Sequence, residues 1–261
     1  MLKHTILVAA VAGMALAMAG STHAAIIGDL GVLKDTADGG INPQTGQPWV
    51  PGDQYRLAFY TSQKRDATST DIDDYNAFVQ GVAAGSTTYP LLGNGTWKVL
   101  GSTETVSARQ NTGTETNVPV PIYVLDGETR IAVDSDDMWN GFTGSDGSNI
   151  RIASGPVVYS PYLDENGGGD SGTNHGVNCA TGSNSNGTIR TFLGGVDRVN
   201  WGSSNANNSG RVFVRWDSGN PESNWSFYAL SDPLTVMPEP ATLALVGLGG
   251  LGTLIARRRR R

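Results

Sequence analysis

The side chains suited to chemistry are few. The chain of 261 residues has three histidines and one cysteine. His4 and His23 fall in a segment patterned as an export signal, so the exported part keeps only His175 and Cys179. These cannot supply the ligands of an ordinary zinc site. A single cysteine also forms no intramolecular disulfide, although an oxidising compartment would permit one. A Ser-His-Asp or Cys-His arrangement would have to be built on His175, close to Cys179 in a Gly/Asn-rich stretch. That composition predicts a solvated loop rather than a catalytic pair.

Carboxylates are the remaining candidates. Two of them suffice for glycoside hydrolysis without histidine, but no pair stands out. Asp71, Asp73 and Asp74, and again Asp134, Asp136 and Asp137, stand where helices begin and read as caps with solvent exposure. Asp164-Glu165-Asn166 with Asp170 forms an oxygen-rich loop, and none of these groups has EF-hand spacing. Gly247-Leu248-Gly249-Gly250-Leu251-Gly252 fits G-x-G-x-x-G, yet it follows no strand and lies inside an apolar run, so it is no dinucleotide site. The expectation is a non-enzymatic protein with no catalytic residues, no metal ligands and no cofactor.

The two ends of the chain are more specific. Lys3 and His4 precede an apolar run, Ile6 to Ala19, and Thr22-His23-Ala24 places small residues at positions −3 and −1 of a cleavage site. This predicts a signal peptide over 1–24. At the other end stand Pro238-Glu239-Pro240, an uncharged apolar run from Ala241 to Ala256, and five arginines, Arg257 to Arg261. The prolines hold the triplet extended and withhold N–H donors. The apolar run is a little short of the ~20 residues that span a bilayer, and Arg257, Arg258 and Arg259 extend it by snorkelling while staying cytoplasmic. This tripartite tail, 236–261, resembles the PEP-CTERM sorting signal. The resemblance implies a membrane enzyme of the exosortase type that recognises Pro238, Glu239 and Pro240 and removes the helix. It also implies transient inner-membrane anchoring through 241–256 and delivery to the envelope, the cell surface or the exterior.

Without both signals the chain retains 12 basic and 23 acidic residues, a balance of −11. Such a surface repels phosphate backbones, which excludes nucleic acid as a partner and favours solubility.

Several elements are needed to position anything on this domain. Residues 25–54, rich in Gly, Asp and Pro, read as an irregular lead-in to a domain over 55–235. Tyr55 to Tyr60 is β-rich and predicts a strand. Asp71 to Ala84 is the clearest helix, with Thr70 or Asp71 as cap, Tyr75, Phe78, Val79 and Val82 on one face, and Gly85 as stop. Thr96 to Leu100, Val120 to Leu125, Thr129 to Val133 and Ile150 to Ile152 read as short strands, with a turn at Asp126-Gly127 and helical turns near Thr105 to Arg109 and Asp134 to Trp139. Asn166 to Gly187 reads as a long loop. Arg190 to Val196, Arg211 to Trp216 and Trp225 to Leu230 read as strands, the last two joined across Asp217-Ser218-Gly219-Asn220. The fold class is α+β, with a jelly-roll β-sandwich as the alternative.

The order of helix Asp71 to Ala84, then Gly95 to Ser102, then Val120-Pro121-Ile122-Tyr123-Val124-Leu125, then Met138 to Gly144 is similar to the endostatin-type domain, which has the C-type-lectin-like fold. The Gly182 to Gly187 segment corresponds to a loop of that family. The family's disulfides, zinc-binding histidines and basic heparin surface have no counterparts here, so the resemblance implies the fold alone. Sugar-binding members of the wider fold hold calcium beside a Trp. By that likeness Asn220, Glu222, Asn224 and Trp225 are the candidate ligand-binding residues, with calcium a candidate cofactor needing help from Asp217 or Asp170; a plain hairpin turn is the other reading. Exposed Trp201, Trp216 or Trp225 would stack on sugar rings. The resemblances together imply a surface or biofilm-matrix protein with adhesive or structural purpose, or a carbohydrate-binding protein whose partner is extracellular polysaccharide.

Overall fold

The structure is a computed structural model that describes residues 26–139, 142–143, 149–150, 160–169, 176–204, 214–215 and 217–238. The signal peptide expected over 1–24 and the membrane segment expected over 241–256 lie outside them. Among the described residues no helix is long and apolar enough to cross a membrane.

In chain order the strands are β1 (Ile26–Gly28), β2 (Ile41–Asn42), β3 (Gln47–Pro48) and β4 (Gln54–Tyr60), followed by helix α1 (Ile72–Ala84) and β5 (Trp97–Val99). After helix α2 (Ala108–Asn111) come β6 (Ile122–Val124), β7 (Arg130–Ala132), helix α3 (Ser135–Trp139), β8 (Phe142–Thr143) and β9 (Asn149–Ile150). The last elements are β10 (Val177–Ala180), β11 (Val199–Ser204), β12 (Asp217–Gly219), β13 (Tyr228–Ser231) and β14 (Leu234–Pro238). Sheet dominates and the helices are few, which agrees with a mixed, sheet-rich class.

Strand β4 organises the largest sheet. Every residue from Tyr55 to Tyr60 is buried, as expected of a strand covered on both faces. One edge pairs in parallel with β6, Arg56 opposite Ile122 and Ala58 opposite Val124, and β7 lies beyond. The other edge pairs antiparallel first with β13, Tyr60 opposite Tyr228, and then with β14, Tyr55 opposite Leu234. Where one partner gives way to the next, the Leu57 N–H donates to Ser231 Oγ at 3.0 Å. Alternation along β4 sends Ala58 and Tyr60 into a cluster with Ile122, Val124, Trp139, Cys179, Tyr228 and Leu230. Phe59, of opposite parity, packs edge-to-face on Trp97 at 4.8 Å.

Helix α1 matches its sequence pattern closely. Asp71 caps it, accepting from Asp73 N–H, and Gly85 follows its last turn. Tyr75, Val79 and Val82 are buried, and the half-buried Phe78 packs on Phe227. Its polar side does more than face water. Strand β5 pairs with β13 on one side only, so its outward N–H groups need other acceptors. Gln80 Oε1 accepts from Trp97 N–H at 2.9 Å and Asn76 Oδ1 from Val99 N–H at 3.0 Å. Asn111 of α2, itself buried, donates to the Val99 carbonyl at 2.8 Å and to Asn76 at 2.9 Å.

The expected irregular lead-in is packed rather than loose in its apolar residues: Leu30, Val32, Leu33, Ala37 and Trp49 are buried. Asp38, held at a left-handed φ of 53°, pairs with Arg130 and accepts from the Tyr123 hydroxyl. Trp49 packs edge-on to Tyr123 at 6.2 Å. The segment closes against the far end of the chain, since the Asp29 N–H donates to Thr235 O at 3.0 Å and β1 pairs with β14. Ile27–Met237 constitute one compact unit. The other, Met1–Ile26 with Pro238–Arg261, consists of the two terminal segments.

Three sequence expectations need correction. Arg190 to Val196 forms turns instead of a strand, because Gly194 at φ +83° lies against Ser69 and Thr70 and breaks the extended path. Asn166 to Gly187 is not one loop, since Val177–Ala180 pairs with β11 as β10. Asp217-Ser218-Gly219 is not a hairpin tip; it is strand β12, with Gly219 opposite Val199. In each case pairing with a distant strand or a tight approach of backbones decided against local composition.

Two tests follow. Asn76→Ala and Gln80→Ala each strip a backbone donor of β5 of its acceptor, and each should lower unfolding free energy by about 1–3 kcal/mol in urea titration. Asp126 is half-buried, and burial opposes its charge. Hydrogen bonds from the Thr129 hydroxyl and N–H, the Glu128 N–H and the Tyr162 hydroxyl outweigh that and hold its carboxyl below the usual range. Its stabilising contribution is therefore complete above the unfolded pKa of about 3.9 and is lost as pH falls through the lower folded value. Melting temperature against pH should show that loss, and Asp126→Asn should flatten that part of the acid limb.

Candidate functional site

The residues singled out for ligand binding lie on or directly after the three-stranded sheet β10-β11-β12, which ends at Gly219. Trp201 on β11 stands opposite Asp217 on β12. The Trp225 ring stacks on Trp201, centroids 6.2 Å apart and planes inclined by 27°. It lies so close to Gly219 that a Cβ there would stand 2.7 Å from the ring. The absence of a side chain at Gly219 is what admits the indole. Trp225 is 9% exposed, and its Nε1 donates to Asn220 O at 2.9 Å. Trp225 is thus a wedge between β12 and the segment after β4, where it exchanges backbone hydrogen bonds with Arg65.

The Asn220 to Trp225 segment is a hydrogen-bonded turn. Asn220 Oδ1 accepts from Glu222 N–H at 2.9 Å, and its carbonyl accepts from Ser223 N–H at 3.2 Å. Glu222 and Asn224 are exposed beside it. Asp217 Oδ1 accepts from Ser218 N–H at 2.7 Å, whereas Asp170 and Trp216 lie outside the described residues. The structure thus brings Asn220, Glu222 and Trp225 into one turn and turns the Asn220 oxygens onto the chain's own donors. Among the described residues no three His, Cys, Asp or Glu side chains are grouped to hold a metal ion.

The other acidic groups serve local structure. Asp134 accepts from Asp137 N–H at 2.7 Å at the start of α3, and Asp137 accepts from Val133 N–H at 2.9 Å. Asp164 Oδ1 accepts from the Asn166 and Gly168 N–H groups. Glu165, 2% exposed, accepts from the Ser62 N–H and hydroxyl, tying the 160–169 segment to the end of β4.

Cys179 lies in β10, not in a solvated loop as composition suggested, and it is fully buried. Burial pushes its thiol well above the ordinary range, so it is no nucleophile in the folded chain. His175 lies outside the described residues.

Sequence reasoning missed the turn segment 190–198, although the Gly194-Gly195 pair signals a break. Leu193 is fully buried and its N–H donates to Ser102 O at 2.8 Å, while the Gly194 N–H donates to Ala67 O at 2.7 Å. These two anchors hold Arg190, Phe192, Val196 and Arg198 around a surface depression.

Of the sorting residues, Pro238 is the last residue of β14; Glu239, Pro240, Arg257, Arg258 and Arg259 lie outside the described residues. The strand leading to Pro238 is well held: Leu234 and Val236 are buried, and Val236 exchanges backbone bonds with Gly52 and Asp53.

Two measurements check this geometry. Gly219→Ala should displace the Trp225 ring, costing about 1–3 kcal/mol of stability and weakening the tryptophan couplet in circular dichroism. A thiol reagent should label Cys179 only after denaturant is added; labelling of the native protein at a comparable rate would contradict its burial.

No curated protein matches the chain. Residues 238–261 match the PEP-CTERM protein-sorting motif, so the address begins on the final residue of the last strand, and it marks an exported protein sorted at the membrane by an exosortase-type enzyme.

Proposed function

We propose that this protein is a non-enzymatic component of the cell surface or extracellular matrix, released from its membrane anchor by exosortase-type processing, with a lectin-like domain that serves adhesion or architecture. One observation carries the reading: the sorting motif starts at Pro238, where β14 ends. The recognition triplet is therefore joined to the folded domain without an intervening linker, and its removal leaves Leu234 and Val236 in the core.

Three further features support it. The exported part has a balance of −11, which suits a soluble, non-aggregating surface. The described carboxylates of the acidic clusters cap helices and close loops. The sheet is closed by strands from both ends of the domain, β1 beside β14, so the segments outside it are not needed to complete the sheet. Binding of polysaccharide through the Asn220 to Trp225 turn, with or without calcium, is the alternative; the resemblance favours it, and the burial of Trp225 weighs against it.

The test is processing in the producing cells. Replacing Pro238, Glu239 and Pro240 by alanine should leave a full-length precursor in the membrane fraction, while the unaltered chain yields a shorter form outside it. Mass spectrometry of that form should place its C-terminus at or beyond Met237. Equal release of the altered chain would overturn the processing reading, and a C-terminus before Leu234 would contradict retention of β14.

A further inference from the structure

The turn segment between Arg190 and Arg198 lines an open surface depression of about 360 Å³, within the volume range of small-ligand sites. Its frame is anchored by buried Leu193, by Gly194 held against Ser69 and Thr70, and by the Asn200 N–H donating to Thr191 O at 2.8 Å. What projects from that frame is chemically mixed. Phe192 is half-buried, and Val196 is 92% exposed, the most exposed of the large apolar side chains in the described residues. An aliphatic group so placed at a pocket rim is unusual for a residue that gains by burial.

The two arginines are set differently from others in the chain. Arg65, Arg109 and Arg130 each pair with an aspartate. Arg190 and Arg198 are oriented by neutral groups instead: Arg190 Nη1 donates to Asn184 Oδ1 at 3.3 Å and Arg198 Nη1 to Ser218 Oγ at 3.0 Å. Each guanidinium keeps further N–H donors for a planar anion. Asp197 lines the same pocket and offers acceptors for hydroxyl groups. On a surface with a balance of −11, a depression lined by two arginines and one aspartate is a local reversal of sign.

We infer that this pocket binds a carboxylate-bearing sugar, of the uronic-acid type, within an extracellular polysaccharide. The carboxylate meets Arg190 and Arg198, ring hydroxyls donate to Asp197, and the apolar face of the sugar covers Phe192 and Val196. The inference names a ligand class and a site for the adhesive role proposed above and rests on that reading for where the sugar is met. Binding itself is independent of it.

The test uses the exported protein purified from its producing cells, titrated calorimetrically with short oligogalacturonates, with their methyl esters, and with a neutral glucan. The expected result is binding of the free acid alone, weakened by added salt. Arg190→Ala and Arg198→Ala should each reduce affinity about tenfold or more, the loss of a charge-assisted hydrogen bond. Both side chains are exposed, so melting temperature should not change. Equal binding of acid and ester, unchanged affinity in the double variant, or no binding to any of the three would overturn the assignment. Cell fractionation read in parallel separates the two readings: a chain that reaches the exterior without binding uronate defeats the site only, and one that binds uronate but stays inside defeats the exported role only.

Discussion

The sheet depends on how the outer edge of β5 is closed. A strand with one partner leaves alternate N–H and C=O groups facing outward, and buried polar groups without partners are costly. Here the N–H groups of Trp97 and Val99 and the carbonyl of Val99 are satisfied by three side-chain amides, Gln80, Asn76 and Asn111. Helix α1 is therefore fixed twice, by Tyr75, Val79 and Val82 on its apolar side and by Asn76 and Gln80 on its polar one. The same amide set fixes α2 through Asn111. Gln80 also reaches the carbonyls of Gly93 and Gly95, which orders the connection into β5.

From β5 the constraint passes through β13 to β4, and there the two ends of the domain are joined to the middle. Strand β14 continues the edge begun by β13, and β1 lies beyond it. The core residues Leu33, Leu234 and Val236 all lie within the compact unit Ile27–Met237. The burial of β4 on both faces also explains why its sequence, Tyr55-Arg56-Leu57-Ala58-Phe59-Tyr60, does not alternate between apolar and polar. Arg56 is the exception in type though not in burial: it is 4% exposed, its Nη1 donates to Thr112 O at 2.9 Å, and desolvation lowers its pKa against the opposing field of Asp232.

Stability without disulfides is thus distributed among amide and carboxylate networks. Asp38, Asp126, Asp134, Asp164 and Glu165 each hold a turn or a helix start, which is why a strongly acidic chain offers few carboxylates free to act together. In the segment from Arg190 to Arg198 the frame is anchored at Leu193 and Gly194, while Arg190 and Arg198 donate to the neutral groups Asn184 and Ser218.

Much of this was legible in the residues themselves. The helix Asp71 to Ala84 was readable because cap, apolar spacing and Gly85 agree, and the strands around Tyr55 to Tyr60, Trp97 to Val99 and Ile122 to Val124 were readable because β-rich runs are bracketed by turn residues. The sorting tail was the clearest of all, since an address must be recognised as a linear segment and so has to be written locally. Composition misled at Val177 to Ala180, where strand pairing with β11 overrode a Gly/Asn-rich context, and at Asp217 to Gly219, where residues typical of a turn became strand β12. What the sequence by itself determined is where the chain is sent and which segments form helix and central strand, because those depend on local pattern. Only the tertiary structure decided that Cys179 is buried, that Trp225 is a wedge against Gly219 and Trp201, and that Arg190 and Arg198 line one depression, because each is a relation between residues that the chain brings together only by folding.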